Sequence, residues 1–96
     1  MHGFMYILLC SNGSYYVGST RHLELRVAQH QRGEGANHTR KYGPVELVYH
    51  EWYPRVQHAF RREKQVQGWG RKKKQALING TPGMLPDLAK AYRDKK

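Results

Sequence analysis

The sequence predicts an α+β fold: a small three-stranded antiparallel sheet with flanking helices, in the order β-β-α-β-α-α. Three observations predict it. Phe4 to Cys10 is a continuous apolar run too short for an ordinary helix, and Val45 to about Tyr53 is a second strand-length segment. Ser11-Asn12-Gly13-Ser14 is a strong turn signal, and it separates the first run from the aromatic, β-branched stretch Tyr15 to Ser19. Three segments free of Gly and Pro then have helical length.

The elements follow in order. The opening hairpin pairs residues 4 to 10 with residues 15 to 19. Leu23 to Gln31 reads as the first helix, with Thr20 as its cap. Gly33 to Gly43 reads as a polar, basic loop. Pro44 precedes the third strand and Pro54 ends it. Residues 55 to about 67 form the second helix, which Gly68-Trp69-Gly70 interrupts. Arg71 to Asn79 is a short, strongly basic third helix stopped by Gly80 and Pro82. A tail with one or two amphipathic turns (Met84, Leu85, Leu88, Ala91, Tyr92) follows. The expectation is a single domain over 1–96, with its core at about 4–80 and a basic tail at 81–96.

Composition narrows the partners. Seventeen Lys and Arg against seven Asp and Glu give a net charge of +10, and the pI is near 10.1. Such an excess on a small domain favours a polyanion, because each neutralised phosphate releases counterions. No apolar run approaches the ~20 residues of a membrane span. The single cysteine, Cys10, sits in an apolar run as a small core residue. These features point to a reducing, cytoplasmic setting without a membrane.

On the second helix, Val56, Ala59, Phe60 and Val66 share a face at ~100° per residue, and Glu63 falls in its middle. A carboxylate there is costly to desolvate unless paired or bound to metal. Two readings fit: a metal ligand, or a carboxylate that snorkels or pairs with a core arginine. Arg26 and His30 flank the Leu23–Val27 stripe of the first helix. An arginine beside a buried glutamate suits phosphate, onto which its guanidinium forks; a solvated helix charge fits it too, and a surface role fits His30. Of the seven carboxylates only Glu63 is on an expected core-facing position. Glu46 and Glu51 have opposite strand parity, so a single-metal site is more natural than a two-metal cluster.

Tyr6, ten residues before Tyr16-Val17-Gly18, stands within Phe4-Met5-Tyr6-Ile7-Leu8. Together the segments resemble the two halves of the signature of the GIY-YIG endonuclease family. Thr20 to Arg26 resembles the family's segment ending in an essential arginine. Arg26 to His30 matches its Arg-X-X-X-His variant, and Ala59 to Glu63 resembles its metal-binding glutamate segment. The match covers roughly residues 4 to 80. It is similar to short stand-alone members and to the nuclease domain of the bacterial excision-repair incision subunit. Phe4-Met5 replaces Gly-Ile in the first half, and Ser19 stands where that branch has a lysine.

The resemblance implies phosphodiester hydrolysis with one divalent cation, Mg²⁺ or Mn²⁺, on Glu63. Tyr6 is then the general base or positions the water, Tyr16 binds phosphate or shares that duty, and His30 receives or relays the proton. Arg26 stabilises transition-state charge, and Gly18 lets backbone or substrate approach closely. Arg40, Lys41, Arg62 and Arg71 to Lys74 (with Lys72 and Lys73 between) are the expected nucleic-acid contacts. DNA is favoured over RNA, single-stranded or branched more than intact duplex, with a repair or recombination role. A partner protein has room to supply specificity, since no separate DNA-binding domain is expected. The competing reading is a nucleic-acid-binding module without turnover.

The hairpin register tests this constellation. Asn-Gly favours a two-residue turn, which would put Tyr6 and Tyr16 on opposite faces. A three-residue loop, Asn12-Gly13-Ser14, would pair Ser11 with Tyr15 and Cys10 with Tyr16. Tyr6, Tyr16 and Gly18 would then share a face, toward Arg26 and Glu63. The expectation is the longer loop.

Overall fold

The computed structural model describes residues 1–80 of the 96; the expected tail turn lies outside the described residues. Seven elements follow in order: β1 (Gly3–Cys10), β2 (Tyr15–Thr20), α1 (Leu23–Gln31), α2 (Asn37–Lys41), β3 (Val45–Tyr53), α3 (Val56–Gln67) and α4 (Arg71–Asn79). The three strands form one antiparallel sheet in the order β2-β1-β3. The expected fold class is what forms.

The sheet has two covered faces because strand side chains alternate. Met5, Ile7 and Val17 face α3 and α4, where they pack with Val66, Ala76 and Leu77. Tyr6, Leu8 and Cys10 point the other way and pack with Val27 of α1 and Val45.

The hairpin loop has three residues, as the shared face requires, but it lies one residue earlier than expected. Leu8 pairs with Tyr16, Leu9 with Tyr15 and Tyr6 with Gly18. The Gly13 amide donates to the Cys10 carbonyl (2.9 Å), and the Cys10 amide to the Ser14 carbonyl (2.9 Å). Gly13 therefore takes the left-handed residue of the loop, at φ +85°. The expected loop would have put Ser14 there, a position that favours glycine. The shift is by whole pairs, so Tyr6, Tyr16 and Gly18 keep one face.

Three further expectations are corrected. The polar 33–43 segment contains α2, a helix of five residues. His22, not Thr20, precedes α1; the Thr20 hydroxyl accepts from the His22 amide at 3.1 Å. Finally, α3 is rotated from the expected face. Its buried residues are Ala59, Arg62 and Val66, while Phe60 is 53% exposed.

Candidate active site

Tyr6 lies on β1, and Tyr16 and Gly18 lie on the edge strand β2. Arg26 and His30 come from α1, four residues apart and so on one flank. Glu63 comes from α3 on the other side of the same edge strand. The site wraps around β2.

The Tyr6 ring crosses β2 at its pairing partner Gly18. A Cβ on residue 18 would sit 2.5 Å from the Tyr6 hydroxyl oxygen. The close approach that Gly18 permits is that of the Tyr6 phenol. Tyr6 is 1% exposed. Its hydroxyl lies 2.9 Å from His30 Nε2. His30 Nδ1 lies 2.7 Å from Thr39 Oγ1, whose hydroxyl donates to the Ala36 carbonyl at 2.9 Å. The Tyr16 ring lies 6.4 Å from Tyr6, 5.1 Å from His30 and 6.3 Å from His38, centroid to centroid. His38 Nε2 also meets Ser14 Oγ at 2.8 Å.

Burial pushes the Tyr6 phenol up to about 12; Tyr16 adds to that shift, while the Arg26 guanidinium opposes it. Burial also raises Tyr16, with Arg26 lowering it and the Glu63 charge raising it. Burial, then the Arg26 charge, lowers His30 to about 4. Arg26 and Glu63 therefore act on both phenols, the arrangement expected for a shared site. At rest the Tyr6–His30 pair is neutral: a phenol near 12 beside an imidazole near 4 holds its own proton.

Glu63 has a side chain 12% exposed. Its Oε1 accepts from the Ser19 hydroxyl at 2.5 Å, and its Oε2 from the Gln67 amide at 2.8 Å. The same Gln67 amide donates to the Val17 carbonyl at 3.1 Å, tying α3 to β2. Among the described residues Glu63 has no arginine ion-pair partner; the exposed Lys64 lies at 3.6 Å. Its two hydrogen-bond donors are neutral, and its ion-pair cation among the described residues is that solvent-exposed lysine. Ser19 and Glu63 offer hard oxygen atoms, the donors Mg²⁺ and Mn²⁺ prefer. Among the described residues no group of three or more His, Cys, Asp or Glu could hold a metal. The residues fit one cation completed by water or substrate oxygen.

The expected nucleic-acid contacts divide. Arg40, Lys41, Arg71, Lys72 and Lys73 are exposed, and Lys74 is half-buried. Arg71 donates to the Gly13 carbonyl at 2.7 Å and lies over the Tyr15 ring at 4.5 Å. Arg62 is corrected. It is 5% exposed and forks onto Glu51, Nε to Oε1 at 3.0 Å and Nη2 to Oε2 at 3.2 Å. Glu51 also accepts from the Tyr49 and Tyr53 hydroxyls, so the buried carboxylate among the described residues is Glu51, while the expected Glu63 is half-buried. Sequence reasoning missed Gly35, His38 and Thr39, all in the supposed loop. The one signal there was the pair of glycines, Gly33 and Gly35, ahead of a His-Thr dipeptide.

A family model described as the GIY-YIG catalytic domain matches residues 2–76. The chain belongs to the GIY-YIG family. This is a family of nucleases, which act on nucleic acid and generally use divalent metal ions. A UPF0213 protein of Staphylococcus aureus is 43% identical over 75 residues, covering 78% of this chain and 92% of the relative. The solution NMR structure of a UPF0213 protein of Bacillus halodurans matches with a TM-score of 0.56 at 37% identity, over 86% of this chain and 88% of the other. A protein of E. faecalis, also solved by NMR, gives a TM-score of 0.56 at 31% identity, over 82% and 84%. These are short, stand-alone GIY-YIG relatives. No helix among the described residues is long and apolar enough to cross a membrane.

Proposed function

We propose that the chain is a divalent-metal-dependent endonuclease that hydrolyses phosphodiester bonds in DNA, with single-stranded, branched or distorted DNA as substrate and a role in repair or recombination. The observation that carries this reading is the buried Tyr6–His30 hydrogen bond beside Arg26, with Glu63 across the β2 edge. A module that only binds has no use for a phenol buried on a low-pKa imidazole.

Glu63 would hold Mg²⁺ or Mn²⁺, which would supply positive charge toward the scissile phosphate when bound. The remaining work falls to the chain. A water against the Tyr6 oxygen gives up a proton to it, while the phenol's own proton moves to His30 Nε2. The hydroxide forms the new P–O bond as the sugar oxygen departs and takes a proton from solvent. Arg26 binds the phosphate and stabilises the charge that builds on it. Phosphate binding also offsets the Arg26 charge that depresses His30, so the imidazole becomes a better acceptor once substrate arrives. Tyr16, half-exposed beside the pair, donates to a phosphate oxygen. Arg40, Lys41 and Arg71 to Lys74 track the backbone.

The test is cleavage of labelled single-stranded, branched and duplex DNA, and matched RNA, with Mg²⁺, Mn²⁺ or chelator. Glu63→Gln should abolish metal-dependent cleavage and leave DNA binding largely intact. A Gln variant that cuts at near wild-type rate would show that Glu63 is not the metal ligand. A wild type that binds and never cuts would favour the binding module.

A further inference from the structure

We propose that Thr39 is a positioning residue whose hydroxyl fixes the tautomer of His30, leaving Nε2 bare to accept the Tyr6 proton. The proposal rests on the cleavage reading above and extends it to Thr39 of α2.

The argument is an accounting of protons. A hydroxyl has one proton to give, and a carbonyl has none. The Thr39 proton goes to the Ala36 carbonyl, 2.9 Å away. Toward His30 Nδ1, at 2.7 Å, Thr39 Oγ1 can then only accept. Nδ1 therefore carries the imidazole proton. A neutral imidazole has one N–H, so Nε2 is a lone pair, and its 2.9 Å contact with Tyr6 has the phenol as donor. The chain runs one way, from Tyr6 through His30 and Thr39 to a backbone carbonyl.

His38 provides an internal contrast by the same logic. Ser14 Oγ gives its proton to Asn12 Oδ1 at 2.6 Å, so it accepts from His38 Nε2 at 2.8 Å. Neighbouring serine and threonine hydroxyls thus hold the two histidines in opposite tautomers. The fit around His30 is close. Thr39 is fully buried and His30 is 1% exposed. A Cβ on Gly35 would collide with His30 Nδ1, and would come within 2.7 Å of Cε1. The Gly35 backbone and the Thr39 hydroxyl together close the Nδ1 side of the ring.

The consequence is directional. With Nδ1–H already bonded, the imidazolium formed on proton transfer needs no rearrangement of its partners. In the opposite tautomer Nε2–H would donate to the Tyr6 oxygen, and the phenol would have nowhere to send its proton.

The experiment reads imidazole ¹⁵N shifts and couplings in the full chain at neutral pH, alongside cleavage of branched DNA by the same proteins. The wild type should show His30 protonated at Nδ1 and His38 at Nε2. Thr39→Ser, which keeps the hydroxyl, should retain both the tautomer and the rate. Thr39→Val keeps the shape and loses the acceptor. It should move His30 toward Nε2–H and slow cleavage at least about tenfold, within the roughly 10²- to 10⁴-fold of general acid–base transfer. A wild-type His30 protonated at Nε2 overturns the proposal whether or not the Val variant folds. So does a Val variant that keeps either the Nδ1–H tautomer or the wild-type rate. An inert wild type with the expected tautomers would sink the cleavage reading and leave the Thr39 assignment standing.

Discussion

His30 gives up part of its affinity for protons when the chain folds, and that links its burial to stability. Its folded value is about 4, against an ordinary 6.5. Between those values the unfolded chain binds a proton that the folded one refuses, so stability falls on acidification from neutral through 6.5 toward 4. At pH 4.5 the loss from this one residue is about 2 kcal/mol, at ~1.4 kcal/mol per unit. Urea midpoints at pH 7 and 4.5 for the wild type and His30→Gln check it. The wild type should lose about 2 kcal/mol more than the variant, and equal losses would mean that His30 is not held neutral by the fold. At this scale Glu63, Arg26 and His30 stood out by helix position, with bland readings open for each, while Tyr6 and Tyr16 stood out only through the resemblance to the GIY-YIG signature. Thr39 and Gly35 did not, because the paired glycines before His-Thr give no partner until the ring that Thr39 and Gly35 touch is placed.

Among the elements, α3 matters most, because its rotation decides where Glu63 stands. The apolar pattern centred the buried face on Glu63, yet Arg62 takes the interior position and Phe60 is exposed. The cause is on another element. Arg62 forks onto Glu51 of β3, which also accepts from the Tyr49 and Tyr53 hydroxyls, so a charge can be buried where periodicity alone forbids it. Glu63 is thereby turned to the flank, over Ser19 and Gln67. Glu51→Ala should destabilise the fold by about 3–5 kcal/mol, since it leaves Arg62 charged and buried. Urea denaturation measures this, and a loss under about 1 kcal/mol would mean that the pair does not set α3. The strands were legible because turn and proline signals bracket them, whereas the face shared by Tyr6 and Tyr16 was expected from the demand of a common site, against the two-residue turn that Asn-Gly favours. The five-residue α2 was hidden, because Asn-His-Thr-Arg-Lys carries no apolar period.

For the whole molecule, charge and shape point to one end of the sheet. The hairpin loop is held from two sides. The Ser11 amide donates to the Tyr42 carbonyl just after Lys41, and Arg71 reaches the Gly13 carbonyl from α4. The exposed cations Arg40, Lys41, Arg71, Lys72 and Lys73 thus flank the loop next to Tyr16. Binding to single strands should weaken steeply with salt, at a log–log slope of roughly −2 to −4 for about three to five neutralised phosphates. Tight, salt-resistant binding to one short duplex sequence would contradict this backbone reading. The central claim is that Tyr6 takes the proton of the attacking water and passes its own to His30. Single-turnover cleavage of branched DNA by Tyr6→Phe, with binding followed in the same samples, tests it most directly. The variant lacks one oxygen and should bind as the wild type does while cutting at least about 100-fold more slowly. A Phe variant that binds normally and cuts at the wild-type rate would contradict the account.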